Sequence, residues 1–371
     1  MTQDIRKYDF IDALRGYAIL GVLLVHSSES VAPISAALRL LMSGGARGVQ
    51  LFYIASALTL SMSWEFRRSH ETSPVRNFFL RRFFRIAPMF YVAIVFYVFL
   101  YGFSPRYWAP NGIEWWFVPL TALFLHGFHP ETITSVVPGG WSIAVEMNFY
   151  LILPFLLRHL TTTRSLVIFF VFSLAIYATS DMALPYLLLS HYPPDQQHLV
   201  SEFSFLNFFG QLPVFAIGLL AYSALKNPGT LRRLVRFGSL IFIAIIFVSL
   251  LLPSPTKIIG NHIVDGFGFA LFALWLACYP TRALVNGAIT QLGKISFSMY
   301  LTHFAVLEAF SKLGISAIFQ TGDASSILYY LCVVAATAPL SYLFYITVER
   351  RGILIGKRLI DELEQRATGD I

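Results

Sequence analysis

Two side chains frame the chemistry this chain could do. The stretch Asp12 to His26 reads DALRGYAILGVLLVH, apolar enough to lie in a bilayer, yet it carries Arg15 near one end and His26 near the other. Eleven positions separate them, about three helical turns, so both project from nearly the same helix face. The rise between them is about 16 Å, roughly half a hydrocarbon core. An ionisable residue inside a membrane helix is costly and reads first as a functional site. The plainer alternative is that both side chains snorkel to opposite interfaces as anchors.

A second group lies in Gly139-Gly140-Trp141-Ser142-Ile143-Ala144-Val145-Glu146-Met147-Asn148-Phe149-Tyr150. Ser142, Glu146 and Tyr150 are four apart and share a helical face. With 129–140 outside, Glu146 sits about one turn below the outer interface, at a depth similar to that of His26. The two could pair. A carboxylate that takes one imidazole N–H orients the ring and raises its basicity, which makes a general base for a hydroxyl. The alternative is a structural glutamate satisfied by backbone or by a tyrosine.

Two further patterns carry chemistry. Arg82 and Arg85, in Arg81-Arg82-Phe83-Phe84-Arg85-Ile86-Ala87-Pro88, are three apart at the inner end of a span and face the same way. Their guanidinium forks suit phosphates, although plain cytoplasmic charge would place arginines there too. Ser296, Tyr300 and His303 form a polar stripe on an otherwise apolar helix just after Lys294. Such a stripe is either helix–helix glue or the lining of a cavity, and His303 alone reads as a packing histidine. Glu349, at the inner end of the last span, is the remaining intramembrane charge and could simply anchor that end; Glu308 and Asp265 lie nearer helix ends and are weaker candidates. His126, His129, His191 and His198 lack the spacing of metal ligands, and no metal is expected.

The elements that position these residues follow from composition. Of 371 residues, 56% are hydrophobic and 13% charged, and the mean hydropathy is +0.66. Soluble domains carry about 25% charged residues, so the chain reads as an all-α polytopic membrane protein. It forms one integral-membrane domain over 1–371, with no separate soluble domain. The net charge of +7 reads as loop charge against anionic membrane lipid, not as nucleic-acid binding. Cys278 and Cys332 lie in apolar runs and imply no disulfide framework. There is no cleavable signal peptide, sequence repeat or low-complexity segment.

Apolar segments fall at about 11–27, 48–64, 86–103, 115–128, 141–158, 165–180, 204–225, 237–252, 265–279, 296–311 and 326–347. Lys and Arg collect in the N-terminus (Arg6, Lys7), the loop 65–85, the turn 158–164, the loop 226–236, the segment 280–294 and the C-terminal tail. The loop 181–203 has neither, and 253–264 and 312–325 have one Lys each. The positive-inside rule makes the first group cytoplasmic. The alternation closes if 115–128, about 14 residues flanked by Trp115, Trp116 and Pro119, does not cross. About ten transmembrane helices plus one re-entrant or interfacial segment result, with both termini cytoplasmic.

Together these residues resemble the membrane-bound acyltransferase-3 family, the bacterial O-acyltransferases of polysaccharides and antibiotics. The resemblance rests on Arg15–His26, Gly48-Val49 leading into Phe52, Arg82-Phe83-Phe84-Arg85-Ile86-x-Pro88, Trp141-Ser142-x-x-x-Glu146-x-x-x-Tyr150, and Gly293-x-x-Ser296-x-x-x-Tyr300-Leu301-x-His303, in family order. One departure is Phe52-Tyr53-Ile54-Ala55-Ser56-Ala57, where the family usually reads Phe-Phe-x-x-Ser-Gly. The resemblance implies transfer of an acyl group, usually acetyl, from cytoplasmic acyl-coenzyme A to a hydroxyl of a cell-surface or lipid-linked glycan, in the bacterial inner membrane. His26, Glu146 and Arg15 would be catalytic. Arg82, Arg85 and Lys294 would hold acetyl-CoA, and Ser142, Tyr150, Ser296, Tyr300 and His303 would line the cavity. Direct transfer and an acyl-enzyme both remain open. A transporter or flippase of a lipid-linked glycan would also explain the spans and proline breaks, but should show inverted repeats.

Overall fold

The computed structural model describes residues 9–232, 234–235 and 260–369. Among these it contains no strand, only an isolated bridge between Arg106 and Ala109. The expected segment 237–252, the N-terminal charges Arg6 and Lys7, and Arg233 and Arg236 lie outside the described residues.

The chain divides into two compact units. The first combines Met1–Thr59 with Ile217–Tyr345, and the second Leu60–Ala216 with Ile346–Ile371.

Unit one is built round α1 (Asp9–Ser30). Leu14, Ala18, Ile19, Val22 and Leu23 are buried, and together they cover about half of the helix circumference. Around α1 pack the 3-10 turn Gly44–Arg47, α10 (Asn261–Cys278), α11 (Gly287–Lys294), α12 (Ser296–Lys312) and α14 (Asp323–Phe344). Lipid is as apolar as leucine, so helices here are held by close packing and small residues rather than by escape from water. The seam with α11 shows how close. A Cβ at Gly293 would overlap the Asp12 carbonyl, and one at Gly16 the Ile289 carbonyl. Polar ties reinforce unit one: the Tyr17 hydroxyl donates to Leu284 O at 2.7 Å, and Arg47 pairs with the buried Asp265 of α10 at 2.7 Å. Between α12 and α14 the hydroxyls of Thr302 and Ser341 meet at 2.7 Å.

Unit two holds α4 (Pro74–Tyr101), α5 (Phe117–Ala122), α6 (Trp141–His159), α7 (Thr163–Leu188), α8 (His198–Leu206) and α15 (Arg350–Thr368). Phe149 on α6 stacks on Phe215 at 3.9 Å, and Phe90 on α4 stacks on Phe124 at 5.1 Å. Two helices, α3 (Gly48–Arg67) and α9 (Phe208–Lys226), run across the division between units.

Seven helices among the described residues are long and apolar enough to cross a membrane. They include α1, α4, α6, α10 and the continuous stretch Asp323–Ala367. The protein is thus all-α and multi-pass. The α3 helix and the 17-residue α12 occupy two more of the expected segments without being among the seven. The segment 115–128 contains only the six-residue α5 and a three-residue 3-10 turn. Six residues rise about 9 Å, far short of a hydrocarbon core.

Element limits differ from the sequence reading in one instructive way. The sequence places a charged loop over 65–85 and starts a span at 86. The structure keeps helix to Arg67 and restarts it at Pro74, so Arg76, Arg81, Arg82 and Arg85 all lie on α4. Hydropathy ends where charge begins, but arginine, leucine and phenylalanine are adequate helix formers, and proline at the first position preorganises the start. Likewise α14 does not end near 347 but passes through the π-helical turn Tyr345–Glu349 into α15.

Candidate active site

In unit one, α1 carries both ends of the first motif. Arg15 donates to Thr59 Oγ1 at 3.0 Å and lies 3.5 Å from Asp12, whose own carbonyl rests on Gly293. Three turns along, His26 Nδ1 lies 2.9 Å from Glu29 Oε2. A carboxylate oxygen only accepts, so this contact puts a proton on Nδ1, and in the neutral ring the lone pair is on Nε2. Glu29 is a functional candidate that the sequence reading passed over. Its signal was there, a carboxylate three residues after His26 at the end of the same helix.

The stripe on α12 faces inward. Ser296, Tyr300 and His303 are all buried. His303 donates from Nδ1 to Met299 O at 3.2 Å, and its Nε2 is buried with no hydrogen-bond partner among the described residues. Its ring centroid is 5.4 Å from that of His26, and Phe304 touches both, at 4.1 Å from His303 and 4.6 Å from His26. Tyr300 adjoins His303 at 5.7 Å, and Phe52 meets Tyr300 edge-on at 6.3 Å. The structure therefore brings His26, Tyr300 and His303 together. Lys294, at the end of α11, is exposed.

In unit two, the second motif opens α6. Gly139 has φ +71°, in the left-handed region that glycine alone adopts without strain, and Ser142 caps back to its carbonyl at 3.3 Å. One turn further, the Tyr150 hydroxyl donates to Glu146 Oε1 at 2.5 Å. The other face of the tyrosine takes Arg82, whose guanidinium carbon lies 5.9 Å from the ring centroid. Phe78 stands edge-on to the same ring at 6.4 Å. Arg82, Tyr150 and Glu146 thus form one continuous contact from the arginine motif to the glutamate motif. Arg81 is engaged differently: it forks onto Glu71 at 2.7 and 3.1 Å. Arg85 is half-buried on α4.

A buried histidine outside the motifs secures the start of α6. His126 donates from Nε2 to Gly140 O at 3.0 Å and stacks on Phe90 at 5.7 Å. Burial pushes its imidazole down to about 4, against the hydrogen bond, which favours the charged form. Of the remaining candidates, Asp265 is committed to Arg47 and Glu308 lies 3.2 Å from Lys312, while Glu349 is fully buried in the π turn. Among the described residues no group of His, Cys, Asp and Glu is arranged to hold a metal ion.

An oriented imidazole in unit one and a carboxylate–tyrosine–arginine cluster in unit two are the groups with which this multi-pass helical protein could do chemistry. The family comparison makes the class specific. A family profile described as an acyltransferase domain matches residues 8–346, nearly the whole chain and ending just before α15. The chain belongs to this acyltransferase-3 family, and its class is that of an acyltransferase enzyme.

Relatives agree in kind. The chain is 26% identical to ORF330 of Acidianus two-tailed virus, provisionally named an acetyltransferase, over 84% of this chain and 87% of that one. It is 22% identical to a provisionally named O-acetyltransferase of Staphylococcus aureus strain COL over 92% of this chain, but spans only 57% of that protein. It is 29% identical to the peptidoglycan O-acetyltransferase of Listeria monocytogenes over 41% of this chain and 25% of that one. No solved structure matches the chain at a significant level.

Proposed function

We propose that the protein is an integral-membrane O-acyltransferase, an O-acetyltransferase in its simplest form. It moves an acyl group from cytoplasmic acyl-coenzyme A to a hydroxyl of a cell-surface or lipid-linked glycan. It works in the bacterial inner membrane with both termini in the cytoplasm. The observation that carries this reading is the His26–Glu29 contact, which leaves a lone pair on Nε2 beside a wall of aromatic rings.

In the proposed reaction Nε2 of His26 takes the proton of the acceptor hydroxyl as its oxygen attacks the thioester carbonyl. The carbon–oxygen bond forms and the carbon–sulfur bond breaks. The proton then passes from His26 to the departing thiolate, so ester and free coenzyme A result with no net change in the enzyme. Arg82 and Arg85 hold the donor's phosphates by their forks. Arg15, held by Thr59, supplies positive charge within α1, and Glu146 is the carboxylate of the α6 cluster. Lys294 is a further cation for the donor. Ser142 and Tyr150 line the site in unit two, and Ser296, Tyr300 and His303 line the site around His26 in unit one.

The test is direct. Inverted membrane vesicles containing the protein, given [14C]acetyl-CoA, should incorporate label into an alkali-labile ester on the lipid-linked or surface glycan fraction. His26→Ala should abolish the incorporation while leaving the amount of membrane-inserted protein unchanged. Label transfer that survives in His26→Ala would remove His26 from the chemistry and move the base to His303.

A further inference from the structure

The C-terminal helix α15 makes contacts that the reaction above leaves unused. One face of it, Gly352, Gly356, Ile360 and Glu364 at four-residue spacing, lies against α4. At Gly352 a Cβ would come within 2.7 Å of Phe84 O and of Pro88 Cγ, and at Gly356 within 2.6 Å of Phe84 Cβ. These neighbours flank Arg85 and follow Arg82. At the far end of the face Glu364 reaches the first turn of α4. It accepts from the Thr72 amide at 2.7 Å, the Ser73 amide at 3.3 Å, Asn77 Nδ2 at 2.8 Å and Arg76 at 3.2 Å. Asn77 is fully buried and also donates to Glu71, which in turn holds Arg67 and Arg81.

The amides that lead into a helix have no partner inside it, and an anion placed there satisfies them and complements the helix dipole. Here the anion comes from almost three hundred residues away. The Thr72 amide, the Ser73 amide and Asn77 all donate to this one carboxylate. One end of α4 is therefore fixed by charge and hydrogen bonds, and the stretch around Phe84 by backbone-close packing. Arg82 and Arg85 lie on the helix so clamped.

We propose that α15 is a clamp on the donor site and that Glu364 is a positioning residue, holding α4 so that Arg82 and Arg85 meet the phosphates of acyl-coenzyme A. The inference rests on the donor role assigned above to those two arginines. It concerns a helix outside the family match, which ends at residue 346.

The experiment measures acetyl-CoA affinity in purified full-length protein, with steady-state kcat and KM for both substrates. Glu364→Ala should raise Kd and KM for acetyl-CoA about five- to tenfold while leaving kcat and the acceptor KM unchanged. Glu364→Gln, whose amide oxygen still accepts from the Thr72 and Ser73 amides, should fall between. Gly356→Leu should raise the donor KM from the other end of the clamp by forcing α15 off Phe84. A structural role alone would lower the amount of active enzyme and kcat, not the donor KM selectively. Arg82→Lys/Arg85→Lys in the same assay separates the two claims, because it keeps the charge and discards the fork. If that double variant weakens acetyl-CoA binding tenfold and Glu364→Ala does not change it, the clamp is wrong and the donor site stands. If the double variant also binds acetyl-CoA normally, both are wrong.

Discussion

Arg82 lies over the ring of Tyr150, its guanidinium carbon 5.9 Å from the centroid, while the hydroxyl of the same tyrosine is given to Glu146. One side chain thus holds a proposed donor-binding cation by its face and a motif carboxylate by its edge. The two attachments can be separated by substitution. Tyr150→Phe keeps the ring under Arg82 and removes only the hydroxyl. Acetyl-CoA affinity should change less than twofold, and kcat should fall about tenfold as Glu146 loses a charge-assisted hydrogen bond of about 1.5 kcal/mol. Tyr150→Leu removes both, and donor affinity should fall a further three- to tenfold, the range of a partly desolvated cation–π contact. Equal kinetics for the two variants would show that the ring does not hold Arg82 for binding.

A second prediction concerns Glu29. Its carboxylate fixes the tautomer of His26, so Glu29→Ala should lower kcat with both KM values unchanged. The loss should be roughly three- to tenfold, since the Glu29 side chain is 64% exposed and solvent weakens such pairs. Introduced into His26→Ala, the same substitution should cost nothing more, because the residues act as one unit. A further drop in the double variant would mean that Glu29 acts independently of His26.

How far the sequence could anticipate this site depends on the distance over which each contact forms. Spacing along one helix was legible: Ser142, Glu146 and Tyr150 do share a face, and Tyr150 does reach Glu146 four residues back. Apolar runs such as 141–158 and 165–180 were legible as helices for a similar reason, a local composition that needs no partner. The reach of Glu364 to Thr72 was not legible, because nothing local in either stretch signals a pairing across the fold. Nor was Arg82 over Tyr150, which requires α4 and α6 to lie side by side. The helical course of 74–85 was hidden by its own charge, since hydropathy reports where a segment leaves lipid and not where its helix stops.

His126 gives a prediction in pH. Its folded-state pKa is depressed to about 4 from the ordinary 6.5, so the fold prefers it neutral. Stability from this group is complete above pH 6.5 and is lost as the pH falls toward 4, at which point about 3 kcal/mol is gone. Thermal unfolding in detergent at pH 7 and at pH 4.5 should show the loss, and His126→Gln should abolish most of the difference. An unchanged pH dependence in that variant would assign the acid sensitivity elsewhere.

The orientation of α6 can be read chemically. In a background without Cys278 and Cys332, Glu131→Cys and Thr162→Cys flank this helix. An impermeant thiol reagent should label position 131 from outside intact cells and position 162 only from the cytoplasmic side. Labelling of both from one side would mean that α6 does not cross.

The glycine seam between α1 and α11 has a mechanical consequence. Where Gly16 and Gly293 bring backbone against carbonyl, no side-chain volume is left to act as a bearing. Sliding α1 by a single residue would turn Arg15 and His26 through about 100° and drive a methyl group into the opposing peptide. The seam works as a keyway: the arginine and the histidine keep a fixed phase and a fixed separation of about 16 Å. A ruler of fixed length cannot follow a substrate, so the substrate must fit the spacing of about 16 Å that the seam sets.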